Sequence, residues 1–221
     1  MERLIGIAVI LVLLSIALAM SNNRKAISWQ LVAWGLGIQI LFAVIILKTP
    51  VGVPFFGAID IGIKNLLSFS DAGSDFLFKS FRHGVVEDPL MNFAFRILPT
   101  LIFFSSLIAV LYHVGIMQFI VKWIAKVMQK SMGTSGSETL CVSGNIFVGQ
   151  TEAPLLVRPF ILKMTKSELM AVMVSGFATV AGGVMAMYVS MLGDIPGIAG
   201  HLLAASIMSA PAALVIAKII Y

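Results

Sequence analysis

The stretch Asn145-Ile-Phe-Val-Gly-Gln-Thr-Glu-Ala-Pro154 sets an ionisable Glu152, a Gln150 and a Thr151 inside an otherwise apolar region. A helix does not run smoothly through Gly149 and Pro154. Glycine disfavours helix, and proline lacks the amide donor and clashes with the preceding turn. The apolar arms on either side, about Ser137–Val148 and Pro154–Leu162, hold 12 and 9 residues. At ~1.5 Å rise per residue neither arm crosses ~30 Å of hydrocarbon. Two short arms around a polar break predict a re-entrant hairpin with its tip near mid-membrane. Irregular backbone at that depth is tolerated only inside protein or beside a water-filled cavity. A carboxylate there costs at least a few kcal/mol, which points to a functional role.

The rest of the composition agrees with a membrane setting. Of 221 residues, 59% are hydrophobic and only 11% charged, which excludes a soluble domain of this size. The expected fold is an all-α polytopic membrane protein. It has about five spanning helices, one of them broken, with one re-entrant hairpin and two interfacial amphipathic helices. The net charge of +5 comes from scattered basic residues, so it fits cytoplasmic loops rather than a nucleic-acid partner. The single Cys141 reads as a small packing residue. His83, His113 and His201 share no metal-ligand spacing.

Leu4–Met20 and Ile27–Leu47 read as the first two spans, with Trp29 and Trp34 as interfacial anchors. Within Lys48–Arg96, Ile59, Ile63, Leu66 and Leu67 share a helical face, with Asp60 and Lys64 off it. This predicts a helix on the membrane surface or packed on the bundle, followed by a polar turn at Ser70–Ser74. Ile97–Ile116 is the third span. In Met117–Met132, Lys122, Lys126 and Lys130 line one face, and Phe119, Ile120, Trp123, Ile124 and Val127 take the other side, as in an interfacial helix. Ser135–Glu138 and Thr165–Glu168 have capping-box spacing. The second box opens a span to Leu192 that carries Gly182-Gly183, read either as a break or as a close helix contact. Gly193–Gly197 is a turn. Ile198–Ile220 is the last span, kinked or interrupted near Pro211. Residues 1–132 thus read as scaffold, 133–192 as the binding block and 193–221 as a final span.

Charge sets an orientation. With Arg24-Lys25 in the cytoplasm, the amino terminus and Lys48–Arg96 lie outside. The Lys122/Lys126/Lys130 helix and Arg158–Lys166 then fall inside, and the Gly193–Gly197 turn outside. The scheme works only if the hairpin enters and leaves from the cytoplasmic side.

At the break, Gln150, Thr151 and Glu152 offer donors and acceptors suited to a neutral polar solute such as a nucleobase. Asn145 with a freed carbonyl at Val148, met by Thr179 and Val180 from the second break, suits a small hard cation. Broken helices meeting at mid-membrane are the signature of a secondary transporter. The plainer alternative is that Glu152 caps an arm or pairs with Arg158. The sequence has no Gly-x-Ser-x-Gly, His-Glu-x-x-His or Walker loop to support hydrolysis.

Gly149-Gln-Thr-Glu-Ala-Pro-Leu155, Arg158-Pro-Phe160, Ser167-Glu-Leu169 and the Ser175–Gly183 stretch together resemble the concentrative nucleoside transporter family, and the similarity runs along essentially the whole chain. The resemblance implies a plasma-membrane homotrimer that imports nucleosides by an elevator motion. It implies nucleobase contacts at Gly149, Gln150, Thr151, Glu152 and Val184. It also implies a sodium site from Asn145, Val148, Thr179 and Val180. Proton-coupled members depart from the Gln-Thr-Glu-Ala-Pro form, so the resemblance implies Na+ as coupling ion, with H+ as the alternative, and no cofactor. Members are nearly twice this length and carry a second hairpin. The expectation is an amino-terminal half that does not transport alone, needs a carboxy-terminal half, or serves as a non-transporting membrane subunit.

Overall fold

A computed structural model of the chain describes residues 2–49, 52–80, 84–87 and 93–221, and among these all regular structure is helical. Helix α1 (Glu2–Ala19) and helix α2 (Trp29–Lys48) are joined by a turn over Arg24–Ala26, whose backbone is capped by the Asn23 side chain. The long helix α3 (Gly52–Phe78) follows. A π turn at Phe93–Ile97 leads into α4 (Leu98–Val114), with Pro99 in its first turn, where a proline costs no helical hydrogen bond. Gly115, at φ 92°, makes the corner to α5 (Ile116–Met132).

The hairpin is built from α6 (Gly136–Asn145), an irregular segment, the short α7 (Ala153–Leu156) and a 3-10 turn at Arg158–Lys163. Then come α8 (Lys166–Ala178), α9 (Gly182–Met191) and α10 (Ile198–Ile220). Both capping boxes are formed, Ser135 with Glu138 and Thr165 with Glu168. Among the described residues, four stretches are long and apolar enough to cross a bilayer: Trp29–Ile46, Phe93–Val114, Lys166–Met191 and Ile198–Ile220. In α1 the apolar run is shorter, Ala8–Ala19.

Two local expectations are corrected and a third is completed. The predicted polar turn at Ser70–Ser74 is helix, because α3 continues to Phe78. Ser70 and Ser74 lie on the same seam as Asp60, Ile63 and Leu67, at three- and four-residue steps. Both serines are buried, and Ser74 Oγ donates to the Phe95 carbonyl at 2.7 Å. Tertiary partners there override the weak helix preference of serine. In α5 the lysine face stands as read, but the protein-facing side is Met117, Val121, Ala125, Met128 and Met132. Phe119 and Trp123 are 71% and 64% exposed, so the helix has a basic face, a buried face and an outward apolar face. Finally, α10 is not interrupted at Pro211, which sits buried inside one continuous helix.

The two ends of the bundle are fixed by long-range polar contacts. At one end, the Asn22 N–H donates to the Ile220 carbonyl, joining the α1–α2 turn to the end of α10. Lys218 pairs with buried Glu138 at 2.7 Å and donates to Ser167 Oγ at 3.0 Å. One ammonium therefore holds the first residues of α6 and of α8. Both feet of the hairpin stand at the same end, so residues 136–163 enter and return rather than cross. At the other end, Asp60 of α3 accepts the Ala199 N–H at 2.8 Å and pairs with Lys64 at 3.3 Å, while Lys64 donates to the Gly193 carbonyl. Asp60 thus caps α10 from 139 positions away, where its own N-cap residue, Gly197, has no side chain. This arrangement puts α3 and the Gly193–Gly197 turn together, at the opposite end of the bundle from Arg24, Lys25 and Lys218.

Two outcomes follow from these anchors. Lys218→Met leaves the Glu138 carboxylate buried and unpaired, so it is expected to cost about 3 kcal/mol in thermal unfolding of the chain in nanodiscs. Burial acts to raise the pKa of Asp60, but the Ala199 N–H, the Lys64 ammonium and the Gly197 N–H outweigh it and hold the carboxyl below its ordinary value. Its contribution is complete above the ordinary carboxylate pKa and is lost as pH falls through the lowered one. Asp60→Ala is expected to destabilise by about 1 kcal/mol at neutral pH, and the gap to wild type should close in that acid window.

Candidate functional site

The two irregular segments meet. α6 ends at Asn145, and the backbone turns through Ile146–Glu152 before α7 begins; α8 ends at Ala178, and Thr179–Ala181 are not helical before α9. The Gly182 N–H, at the start of α9, donates to the Phe147 carbonyl at 3.2 Å. A Cβ on Gly182 would collide with that carbonyl oxygen. Gly182 therefore serves both expectations for the diglycine, as the edge of a break and as a point of close contact.

Asn145 is fully buried. Its Nδ2 donates to Ser175 Oγ at 2.8 Å, and Ser175 Oγ donates on to the Val172 carbonyl at 2.9 Å. Thr179 Oγ1 donates to the Ser175 carbonyl at 2.9 Å. Asn145 and Thr179 are thus brought to one residue. Asn145 Oδ1 has no hydrogen-bond partner among the described residues. A buried amide oxygen left bare is costly, and a hard oxygen beside a hydroxyl is what a small cation takes. Val148 and Val180 lie in the two facing breaks. Ser175, which organises the pair, enters the sequence reading only as the first residue of the Ser175–Gly183 stretch. Its partner is 30 positions away, and no local pattern marks it.

Gly149 and Glu152 lie at the far end of the first break. The Gly149 N–H donates to Glu152 Oε2 at 2.7 Å. A Cβ on Gly149 would fall 2.6 Å from that oxygen and 3.3 Å from Ala181, so only glycine lets the carboxylate fold back here. Among the described residues no ion pair joins Glu152 to Arg158. Gln150, Thr151 and Glu152 are all exposed, with Gln150 packed over Gly176. A cavity of about 670 Å³ opens beside the break. Its walls are Val148, Gly149 and Glu152, then Gly182–Val184 of α9, then one face of α4 from Leu101 to Tyr112. Gln150 and Thr151 lie outside that lining, as do Thr179 and Val180. The cavity is mostly apolar with a few convergent polar groups, the usual make-up of a small-molecule site.

A hairpin whose polar tip meets a second broken helix beside a cavity is the kind of arrangement in which secondary transporters place their binding sites. Residues 6–81 match the family model described as the Na+ dependent nucleoside transporter N-terminus, and residues 94–195 match the one described as nucleoside recognition. The chain belongs to the concentrative nucleoside transporter family and corresponds to its amino-terminal half. It is 44% identical over 220 residues to human sodium/nucleoside cotransporter 1, aligning all of this chain with 32% of that protein. It is 45% identical over 225 residues to an uncharacterized transporter of Haemophilus influenzae, of which 52% is covered. The structure of CNTnw in an inward-facing substrate-bound state superposes with a TM-score of 0.90 at 42% identity, covering all of this chain and 53% of that one. The chain therefore spans between about a third and about half of the length of these relatives.

Ser175→Ala removes the acceptor that holds Asn145 Nδ2 and leaves a second buried polar group bare. It is expected to lower stability by about 1–3 kcal/mol, read by thermal unfolding.

Proposed function

We propose that this chain is the amino-terminal half of a sodium-coupled nucleoside importer in the plasma membrane, with the amino terminus outside. The bare Asn145 Oδ1, on a side chain held by Ser175 as Thr179 also is, carries the reading. In it, Asn145 Oδ1, the Thr179 hydroxyl and the main chain at Val148 and Val180 take the sodium ion. Gly149, Gln150, Thr151 and Glu152, with Val184 alongside, meet the nucleobase. Human sodium/nucleoside cotransporter 1, by its name, couples the same two solutes.

Coupling follows from chain continuity. Asn145 opens the break and Glu152 closes it, so an ion that fixes Asn145 also restricts the backbone that aims Glu152. The nucleoside then meets a more ordered segment, and binding of one solute favours the other. The binding block, residues 133–192, moves against the scaffold of residues 1–132 in an elevator stroke. The scaffold wall of the cavity is α4. The half-site is completed by a carboxy-terminal half, and three such protomers form the homotrimer.

Uridine uptake into vesicles carrying this chain with a carboxy-terminal half is expected to require a sodium gradient. Uptake driven instead by a pH gradient would make the ion a proton, and no uptake despite insertion of both halves would leave a non-transporting subunit. Glu152→Gln removes the charge that takes the base's N–H and is expected to weaken uridine binding about tenfold to a hundredfold. Unchanged affinity would remove Glu152 from the site.

A further inference from the structure

At the end of the bundle that carries Lys218, a recess of about 460 Å³ opens between four elements. Ser28 and Gln30 line it from the start of α2, Lys130 and Ser131 from the end of α5, Glu138 from α6 and Lys218 from α10. The Glu138 side chain is 2% exposed and that of Lys218 18%, so the carboxylate lies behind the ammonium. An ammonium has three N–H donors. Lys218 gives one to Glu138 at 2.7 Å and one to Ser167 Oγ at 3.0 Å, and the third is unspent. Lys130 and Gln30 are exposed, and neither side chain has a hydrogen bond or ion pair among the described residues. The Ser28 hydroxyl accepts the Leu31 N–H and still has its own proton to give.

Unspent donors thus reach one recess from α2, α5 and α10. Two ammoniums and one carboxylate leave it a single net positive charge. The depth of the recess narrows the choice of anion. The apolar stretch of α2 begins at Trp29 and that of α10 ends at Ile220, so Gln30 and Lys218 lie where two spans leave the hydrocarbon. The exposed indole of Trp29 suits that same level. A group bound there sits among lipid headgroups rather than in open water.

We propose that the recess holds the headgroup of an anionic phospholipid such as phosphatidylglycerol. Lys130 and the third donor of Lys218 take the phosphate oxygens, and Gln30 and Ser28 take the neighbouring headgroup oxygens. One phosphodiester balances the charge of the recess, whereas a zwitterionic lipid brings its own cation and leaves the recess positive. In the orientation proposed above this end faces the cytoplasmic leaflet, where anionic lipids gather. Lys218 also holds the first turns of α6 and α8, so the lipid fastens the feet of the hairpin to the bilayer.

The test is thermal unfolding of the full chain in nanodiscs of phosphatidylcholine alone and of phosphatidylcholine with phosphatidylglycerol. Each variant is referred to its own midpoint in phosphatidylcholine, which cancels changes in intrinsic stability. Phosphatidylglycerol is expected to raise the wild-type midpoint by about 2–4 °C. Lys130→Gln should lose most of that rise, and Lys130→Arg should keep it. Lys122→Gln and Lys126→Gln, on the same exposed face of α5 but outside the recess, should keep it too. No rise in the wild type overturns the proposal, as does a rise that Lys130→Arg loses. An equal loss in all three glutamine variants means diffuse attraction to a charged surface and removes the site. A matching rise from inorganic phosphate in phosphatidylcholine nanodiscs makes the ligand a free anion and removes the lipid.

Discussion

Where the Gly182 N–H meets the Phe147 carbonyl, two interrupted helices are stitched together through main chain alone. Each interruption exposes backbone groups that hydrocarbon cannot satisfy. Bringing the breaks into register lets one answer the other, and this requires the absence of a side chain at position 182. The remaining arrangement is set around that contact. Ser175 reaches back from α8 to hold Asn145, and Ala181 packs against Gly149 close to the Glu152 carboxylate. Neither break is self-sufficient, and the polar groups between them are stable only as a pair.

The outer anchors serve the same end. Lys218 fastens the starts of α6 and α8, and Asp60 fastens the start of α10. The core between these polar ends is dominated by α10, whose Ala210, Leu214, Val215, Ala217 and Ile219 are almost wholly buried. Small residues allow the helices to approach closely, as is usual where lipid supplies no hydrophobic drive for helix association. The middle of the molecule can therefore hold a cavity with a carboxylate on its wall, since both ends are pinned by charge.

Much of this was legible in the sequence, for physical reasons that differ by element. Gly149 and Pro154 disrupt a helix wherever they occur, so the first break was visible locally. The capping boxes at Ser135 and Thr165 are local as well, and both formed. What was not legible depends on distant partners. Ser70 and Ser74 look like a turn until Phe95 supplies an acceptor for Ser74. Asp60 was read as off the apolar face, yet it is buried because Ala199 needs a cap. In α5 the lysines mark one face, but the choice between protein and lipid for the remaining apolar residues rests on which neighbour arrives. Met117, Val121 and Met128 face inward while Phe119 and Trp123 face out. The role of Ser175 emerges only when α6 and α8 come together.

The outward face of α5 has a further consequence. The chain has three tryptophans, and Trp29, Trp34 and Trp123 are 60%, 51% and 64% exposed. None touches the cavity lining. The indole emission of this protein is consequently a gauge of its lipid surroundings. Colour shifts in that signal report how deep α2 and α5 ride in the bilayer, because no indole lines the cavity.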